Sequence, residues 1–251
     1  MTLPSSGPLS LSAIQGEFGG SNPIGLSEYY AGGGLVPSGT TSPVAGAVPS
    51  SVGTPISIYN FYGTTKFTGR VDDLTSPGTT DVQVPSGAVS VLIECVAGGG
   101  GGGNGDYDLN QDLIIGGGGG ASGSACIKTM SLNGTDTGVN IHCVVGGATT
   151  NSTVTATLSS GSVNMTANAG GYGGSASVPI PGTGGIHGSA TGGDTNIDGS
   201  DGGDGTGGSS GVGGSGGSSV LLGAGTGGDG GTPFGPGPYA GDVGRIRLTF
   251  S

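Results

Sequence analysis

Apolar and polar residues alternate along Val89-Ser90-Val91-Leu92-Ile93-Glu94-Cys95-Val96, placing Val89, Val91, Ile93 and Cys95 on one face of a β-strand. Val82-Gln83-Val84-Pro85 carries the same period, and further strands are predicted at 126–132, 139–145, 153–158 and 162–167. The chain closes on Arg245-Ile246-Arg247-Leu248-Thr249-Phe250, with Ile246, Leu248 and Phe250 facing inward and the arginines outward. A terminus that completes a sheet suits a sandwich.

The first 63 residues follow another pattern, repeated three times. Pro8-Leu9-Ser10-Leu11-Ser12-Ala13-Ile14, Pro23-Ile24-Gly25-Leu26-Ser27-Glu28-Tyr29 and Pro55-Ile56-Ser57-Ile58-Tyr59-Asn60-Phe61 share a proline, two apolar residues spaced by two, and an apolar or aromatic residue three further on. Each reads as a short strand followed by a turn, and Ser12 with Gln15 has the spacing of a capping box that would start one or two helical turns. Units this small gain stability by stacking on each other or on other subunits. Residues 1–65 are therefore expected to be a docking segment, with Leu9, Leu11, Ile24, Leu26, Ile56, Ile58 and Phe61 as its contact residues. An extended arm with no fixed partner is the alternative.

Glycine changes the picture for the rest of the chain. Between residues 199 and 217 it falls on every third position: Gly199, Gly202, Gly205, Gly208, Gly211, Gly214 and Gly217. Three residues per turn is the period of polyproline II, so these glycines share one edge of an extended helix that another backbone can approach closely. Gly182/Gly185/Gly188 and Gly225/Gly228/Gly231 hold the same register, and the runs Gly98 to Gly103 and Gly116 to Gly120 look like two legs of one excursion. The expectation is a bundle of polyglycine II legs, with 199–217 as the longest. Unbroken, that leg would reach roughly 55–60 Å; it either forms an elongated shaft or folds back on itself. The expected fold is all-β: the 1–65 segment, then a glycine-rich β-sandwich with packed legs over 66–251, strand-rich at 66–168, polyglycine-rich at 169–240 and closed by a strand at 243–251.

With 64 glycines in 251 residues and 32% hydrophobic residues, a conventional core would be small, and the entropy of ordering glycine has to be offset by dense backbone hydrogen bonding. Unpatterned glycine would suggest disorder; the period and the alternating strands argue against it. A formal charge of −11 disfavours nucleic acid as a partner. No apolar run is long enough to span a bilayer and no secretory signal pattern opens the sequence, so synthesis in a cytoplasm without membrane insertion is expected.

Catalytic signatures are sparse. His142 and His187 have no nucleophile motif beside them, the glycine runs lack the Lys-Ser or Lys-Thr of a phosphate loop, and Cys95, Cys126 and Cys143 match no zinc spacing. An enzyme and a cofactor are not expected. Asp198, Asp201 and Asp204 share one edge of a polyproline II leg and are weak calcium candidates; a solvated acidic edge is the preferred reading. Bulky residues amid glycine either fill the core or project from turns, which nominates Tyr172, Ile186, His187, Phe234 and Tyr239 for recognition.

The run Val82-Gln83-Val84-Pro85-Ser86-Gly87-Ala88-Val89-Ser90-Val91, the strand that passes straight into polyglycine, and the closing Gly-Arg-Ile-Arg-Leu-Thr-Phe resemble the glycine-rich domain of tailed-phage fibre and tail-tip proteins. The amino-terminal repeats, ending in Asn60-Phe61-Tyr62-Gly63, are similar to segments of phage virion structural proteins. The resemblance implies a virion protein synthesised in the host cytoplasm, bound to other virion proteins through residues 1–65. It further implies a homotrimer that contacts a host surface glycan or protein. A capsid decoration, head-fibre or collar protein without receptor contact is the first alternative. A free polyglycine II protein that binds ice or mineral is the second.

Overall fold

The computed structural model describes every residue except 1, 38, 52, 210 and 236. The chain is all-β, with a single α-helix among the described residues, α1 (Leu11–Phe18).

That helix belongs to the amino-terminal repeats, which form helical turns where short strands were expected. The first repeat continues into α1, and the second and third into 3-10 turns at Leu26–Glu28 and Ile58–Phe61. The cause is local capping two residues after each proline. Ser10 Oγ accepts from Ala13 N at 3.2 Å, Gly25 N donates to Glu28 Oε1 at 3.2 Å, and Ser57 N donates to Asn60 Oδ1 at 2.8 Å. The cap in the first repeat is Ser10, where Ser12 was expected. Six residues beyond each proline stands a fully buried side chain: Ile14, Tyr29 or Phe61. Phe61 meets Phe18 and Tyr29 edge-on, at centroid distances of 6.0 and 6.2 Å. A small hairpin, β1 (Thr41–Ser42) with β2 (Gly46–Ala47), completes this module.

The module rests on the sandwich. Lys66 N donates to Glu17 Oε1 at 2.7 Å, and Ser86 Oγ lies 3.2 Å from Thr41 Oγ1. The sandwich is built from β3 (Arg70–Leu74), β4 (Gly78–Gln83), β5 (Ser90–Val96), β8 (Ala125–Ser131), β9 (Asn140–Val145), β10 (Ser152–Leu158), β11 (Gly161–Ala167), β12 (Ala190–Thr191), β13 (Thr195–Ile197) and β15 (Arg245–Phe250). Three short strands, β6 (Asp106–Asp108), β7 (Leu113–Ile115) and β14 (Gly207–Gly208), form a separate small sheet. One large sheet has the order β12-β11-β10-β9-β4, the other β13-β8-β5-β15-β3, and every pairing is antiparallel.

Alternation places Val91, Ile93 and Cys95 of β5 and Ile246, Leu248 and Phe250 of β15 in the core against Ile141, Cys143, Val154, Val163 and Met165 of the facing sheet. All three cysteines are buried free thiols. Val89 falls short of this face: it precedes β5 and is exposed. Arg245 and Arg247 point outward as expected, and both reach Asp73 on β3.

Six strands run directly into glycine-rich extended segments, or border them. Leg 1 (97–105) leaves β5, leg 2 (116–124) enters β8, leg 3 (168–176) leaves β11, leg 4 (181–189) enters β12, leg 5 (198–206) leaves β13 and leg 8 (238–244) enters β15. Legs 6 (211–218) and 7 (224–232) lie between. At the rise of polyproline II a nine-residue leg is about 28 Å long. The 199–217 stretch folds back on itself as legs 5 and 6, and neither is the centre of the bundle.

Leg 2 is the centre. Its successive amides donate in rotation to legs 5, 7 and 3: Gly116 to Thr206 O, Gly117 to Gly231 O, Gly118 to Gly174 O, then Gly119 to Gly203 O, Gly120 to Gly228 O and Ala121 to Gly171 O, all at 2.8–3.0 Å. Its carbonyls accept in the same rotation from legs 4, 6 and 1, through Gly182 N, Gly214 N and Gly103 N and then Gly185 N, Gly217 N and Gly100 N. Legs 1, 3, 4, 5, 6 and 7 thus ring leg 2, and leg 8 lies outside legs 1 and 7. A leg bonded on all sides has no room for Cβ. One built on Gly118 would lie 1.9 Å from Thr183 O, and one on Gly119 2.0 Å from Ser215 O.

Candidate functional site

The legs turn at the end of the bundle away from the sandwich, through segments that include residues 106–115, 177–180, 207–209 and 233–235. These turns are tied to one another. β6 and β7 form a hairpin, β14 adds to β7, Val178 N donates to Asp106 Oδ2 at 3.2 Å, and the Tyr107 and Phe234 rings meet edge-on at 4.6 Å. Tyr107 Oη also donates to Asp112 Oδ1 at 2.5 Å, and this bond raises the phenol pKa above its ordinary value.

Each turn or its flank exposes a large apolar side chain: Leu109 (86%), Ile180 (66%), Val212 (60%), Phe234 (72%) and Tyr239 (55%). Asp106, Asp108 and Asp112 add negative charge at the β6–β7 hairpin, and residues 97–244 contain a single Lys or Arg, Lys128, which lies in the sandwich. The distal end therefore combines apolar projections with negative charge on a backbone-bonded platform. Such a surface suits contact with another macromolecule.

Phe234 and Tyr239, two of the five nominated recognition residues, lie at this end. Tyr172, Ile186 and His187 lie on the flank of legs 3 and 4, where Gly171 N donates to Ile186 O at 2.8 Å, Tyr172 Oη is 3.2 Å from Thr149 Oγ1, and His187 Nδ1 is 2.7 Å from Asp201 Oδ1. The five do not form one patch. Leu109, Ile180 and Val212 were not nominated; their signal was a bulky apolar residue in or beside a break between glycine runs.

The seven docking residues all belong to the module's own core. Phe61 is fully buried, and Leu9, Leu11, Ile24, Leu26, Ile56 and Ile58 are half-buried around it. Only the half-buried six retain surface for a partner.

The acidic edge of leg 5 is not simply solvated. Asp204 Oδ1 accepts from Gly184 N at 2.7 Å, and Asp201 Oδ1 accepts from His187 N at 2.9 Å. The backbone bond from His187, reinforced by its ring, holds the Asp201 carboxyl below the ordinary carboxylate pKa. Asp198 is exposed at the start of the leg. Among the described residues no three His, Cys, Asp or Glu side chains are grouped to hold a metal ion. His142 Nδ1 lies 2.7 Å from Asp81 Oδ1 on the exposed face of β9 and β4.

No family model matches the chain, and no curated protein matches its sequence. Among the described residues no helix is long and apolar enough to cross a membrane.

Proposed function

We propose that the chain is a structural protein of a tailed-phage virion that docks through its amino-terminal module and presents the distal turns of the glycine bundle to the host surface. The observation that carries this reading is the apolar side chain at or beside every distal turn, from Leu109 to Phe234, on a platform whose backbone is bonded leg to leg. A scaffold of that kind fixes the geometry of its loops while leaving their sequence free. The module, held to the opposite end of the sandwich by Lys66 and Ser86, is the part that faces the particle. In this reading the protein is a homotrimer in the virion, made in the host cytoplasm, and it performs no chemical reaction.

The ice or mineral alternative needs a regular ladder of one small residue. The outward positions of the adjoining legs are instead Thr183/Ile186/Ser189, Asp198/Asp201/Asp204 and Val212/Ser215/Ser218.

Gold-labelled antibody against the chain, imaged on particles, is expected at the fibre or tail tip, and label on the capsid lattice would support a decoration protein instead. Purified protein is expected to block phage adsorption to cells. The Leu109→Ser/Phe234→Ala variant should lose this effect while its stability falls by no more than about 1.5 kcal/mol, the worth of the Tyr107–Phe234 ring pair.

A further inference from the structure

A hexagonal array of polyglycine II legs has no natural edge. Each rim leg still offers amides to positions where a further leg could lie, as the outer strand of a sheet does. In this bundle one row of those amides is recognisable by register. It consists of the residues one before those that donate to the central leg.

In leg 1, Gly100 and Gly103 donate to leg 2, and the preceding Gly99 and Gly102 donate outward to Asp242 O and Tyr239 O of leg 8, both at 2.9 Å. In leg 4, Gly185 and Gly188 donate to leg 2, and the preceding Gly184 and His187 donate outward to side chains, Asp204 Oδ1 at 2.7 Å and Asp201 Oδ1 at 2.9 Å. In leg 6, Gly217 donates to leg 2 and the preceding Gly216 donates to Asp229 Oδ1 at 2.7 Å. A backbone does for leg 1 what three carboxylates do for legs 4 and 6.

We infer that Asp201, Asp204 and Asp229 stand in for the carbonyls of absent legs and terminate the array, so that the grooves between legs 4 and 5 and between legs 6 and 7 do not accept extended glycine-rich backbone from another copy. The acid recurs every third residue because each outer amide recurs every third residue. It stands on the neighbouring leg because the row opens into the groove between the two. A carboxylate oxygen makes a stronger, charge-assisted bond than the carbonyl it replaces, and its charge also repels a second acidic chain. Bonding and charge make different predictions for asparagine, which keeps the acceptor and loses the charge.

The test is amide hydrogen exchange by NMR with sedimentation velocity, on the full chain and two triple variants. In the parent, Gly184, His187 and Gly216 are expected to be protected relative to Leu109 in the exposed β6–β7 turn. In Asp201→Ala/Asp204→Ala/Asp229→Ala these three amides should exchange at least about tenfold faster, the equivalent of one lost hydrogen bond. That variant should also associate beyond the parent's oligomeric state as concentration rises. The corresponding Asn variant should keep the protection and the parent's sedimentation. The single Asp229→Ala change, which opens Gly216 alone, serves if the triple alanine variant does not fold. Unprotected amides in the parent, an alanine variant that sediments like the parent, or an asparagine variant that behaves like the alanine one would each overturn the inference.

Discussion

Ile93 in β5 and Gly119 in leg 2 are both fully buried, for opposite reasons. Around Ile93 the two sheets leave a space that only a large apolar side chain fills, and cohesion comes from the area removed from water. Around Gly119 six backbones leave no space, and cohesion comes from the amides and carbonyls that leg 2 exchanges with its neighbours. The two cores are continuous through Ala97, Ala125 and Ala167, the smallest side chains at the junction of strand and leg, all buried. One chain thus passes from a core made by side chains to a core that excludes them, which is how 64 glycines can belong to an ordered protein.

The sharpest way to break this comparison is to add atoms to leg 2. Gly119→Val is expected to yield no cooperatively folded protein, because the clashing atom is Ser215 O, a backbone atom 2.0 Å from the new Cβ. Gly119→Ala should cost more than about 3 kcal/mol, above the usual range for overpacking, since no flexible side chain can yield. Ser215→Ala, on the exposed side of the same contact, should stay within about 0.5 kcal/mol. Urea denaturation of the three variants checks the order.

In the sandwich the same residue fails by being too small. Ile93→Ala should cost about 3 kcal/mol, within the range for buried truncations that leave a cavity. If Gly119→Ala proves milder than Ile93→Ala, backbone packing is not the limiting constraint in the bundle.

A smaller effect separates the two cores by pH. Asp136, buried beside the sandwich, loses hydration, which raises its pKa. Bonds from Ser159 Oγ at 2.6 Å, Asn133 N at 2.9 Å and Ser159 N at 2.7 Å outweigh that and hold the carboxyl below its ordinary value. A depressed folded pKa stabilises fully above the unfolded value of about 3.9, and the contribution disappears as pH falls through the lower folded value. Asp73, held low chiefly by its bond from Arg245, acts in the same direction. Thermal melts should therefore lose midpoint below about pH 4, and Asp136→Ala should cost about 1–3 kcal/mol at neutral pH, the penalty of orphaned donors, while flattening the acid slope.

How much of this was legible in the sequence divides along the same line. The strands of the side-chain core were read from alternation, because each apolar residue reports its own burial. β3 escaped, since Arg70-Val71-Asp72-Asp73-Leu74 is a charged edge strand that leaves Val71 exposed. The amino-terminal repeats were half legible: the turn expected in each is there, the first as α1, but the strand suggested by the apolar spacing of two is not, because the deciding caps lie in polar side chains such as Asn60. In the bundle the most periodic stretch, 199–217, reads as the longest leg, and it folds back into two rim legs. A period of three marks a rim leg, which has an outward side where Asp, Ser or Val fits. A leg surrounded by others needs a small residue at every position, so the unbroken Gly116 to Gly120 was the true sign of centrality. The distal site was half legible, because a bulky residue between glycine runs signals a turn without saying which turns meet.

The rule that reads a rim leg also predicts what is missing from one. Asp204 bonds Gly184 and Asp201 bonds His187 across legs 4 and 5, and across legs 6 and 7 Asp229 bonds Gly216; extending that antiparallel register by three residues pairs Thr232 with Gly213, and both line the same groove. Gly213 precedes Gly214, a donor to the central leg, so its amide belongs to the outer row. It opens on a groove of about 320 Å³ lined by Val212, Ser215, Asp229, Thr232 and Tyr239. Thr232→Asp places a carboxylate where the pattern calls for one and should slow exchange at Gly213 while raising stability by about 0.5–1.5 kcal/mol, the net value of one hydrogen bond. Thr232→Val, of equal shape without an acceptor, should leave that exchange unchanged. Slowed exchange in both variants would mean that bulk at the groove, and not an acceptor, protects the rim.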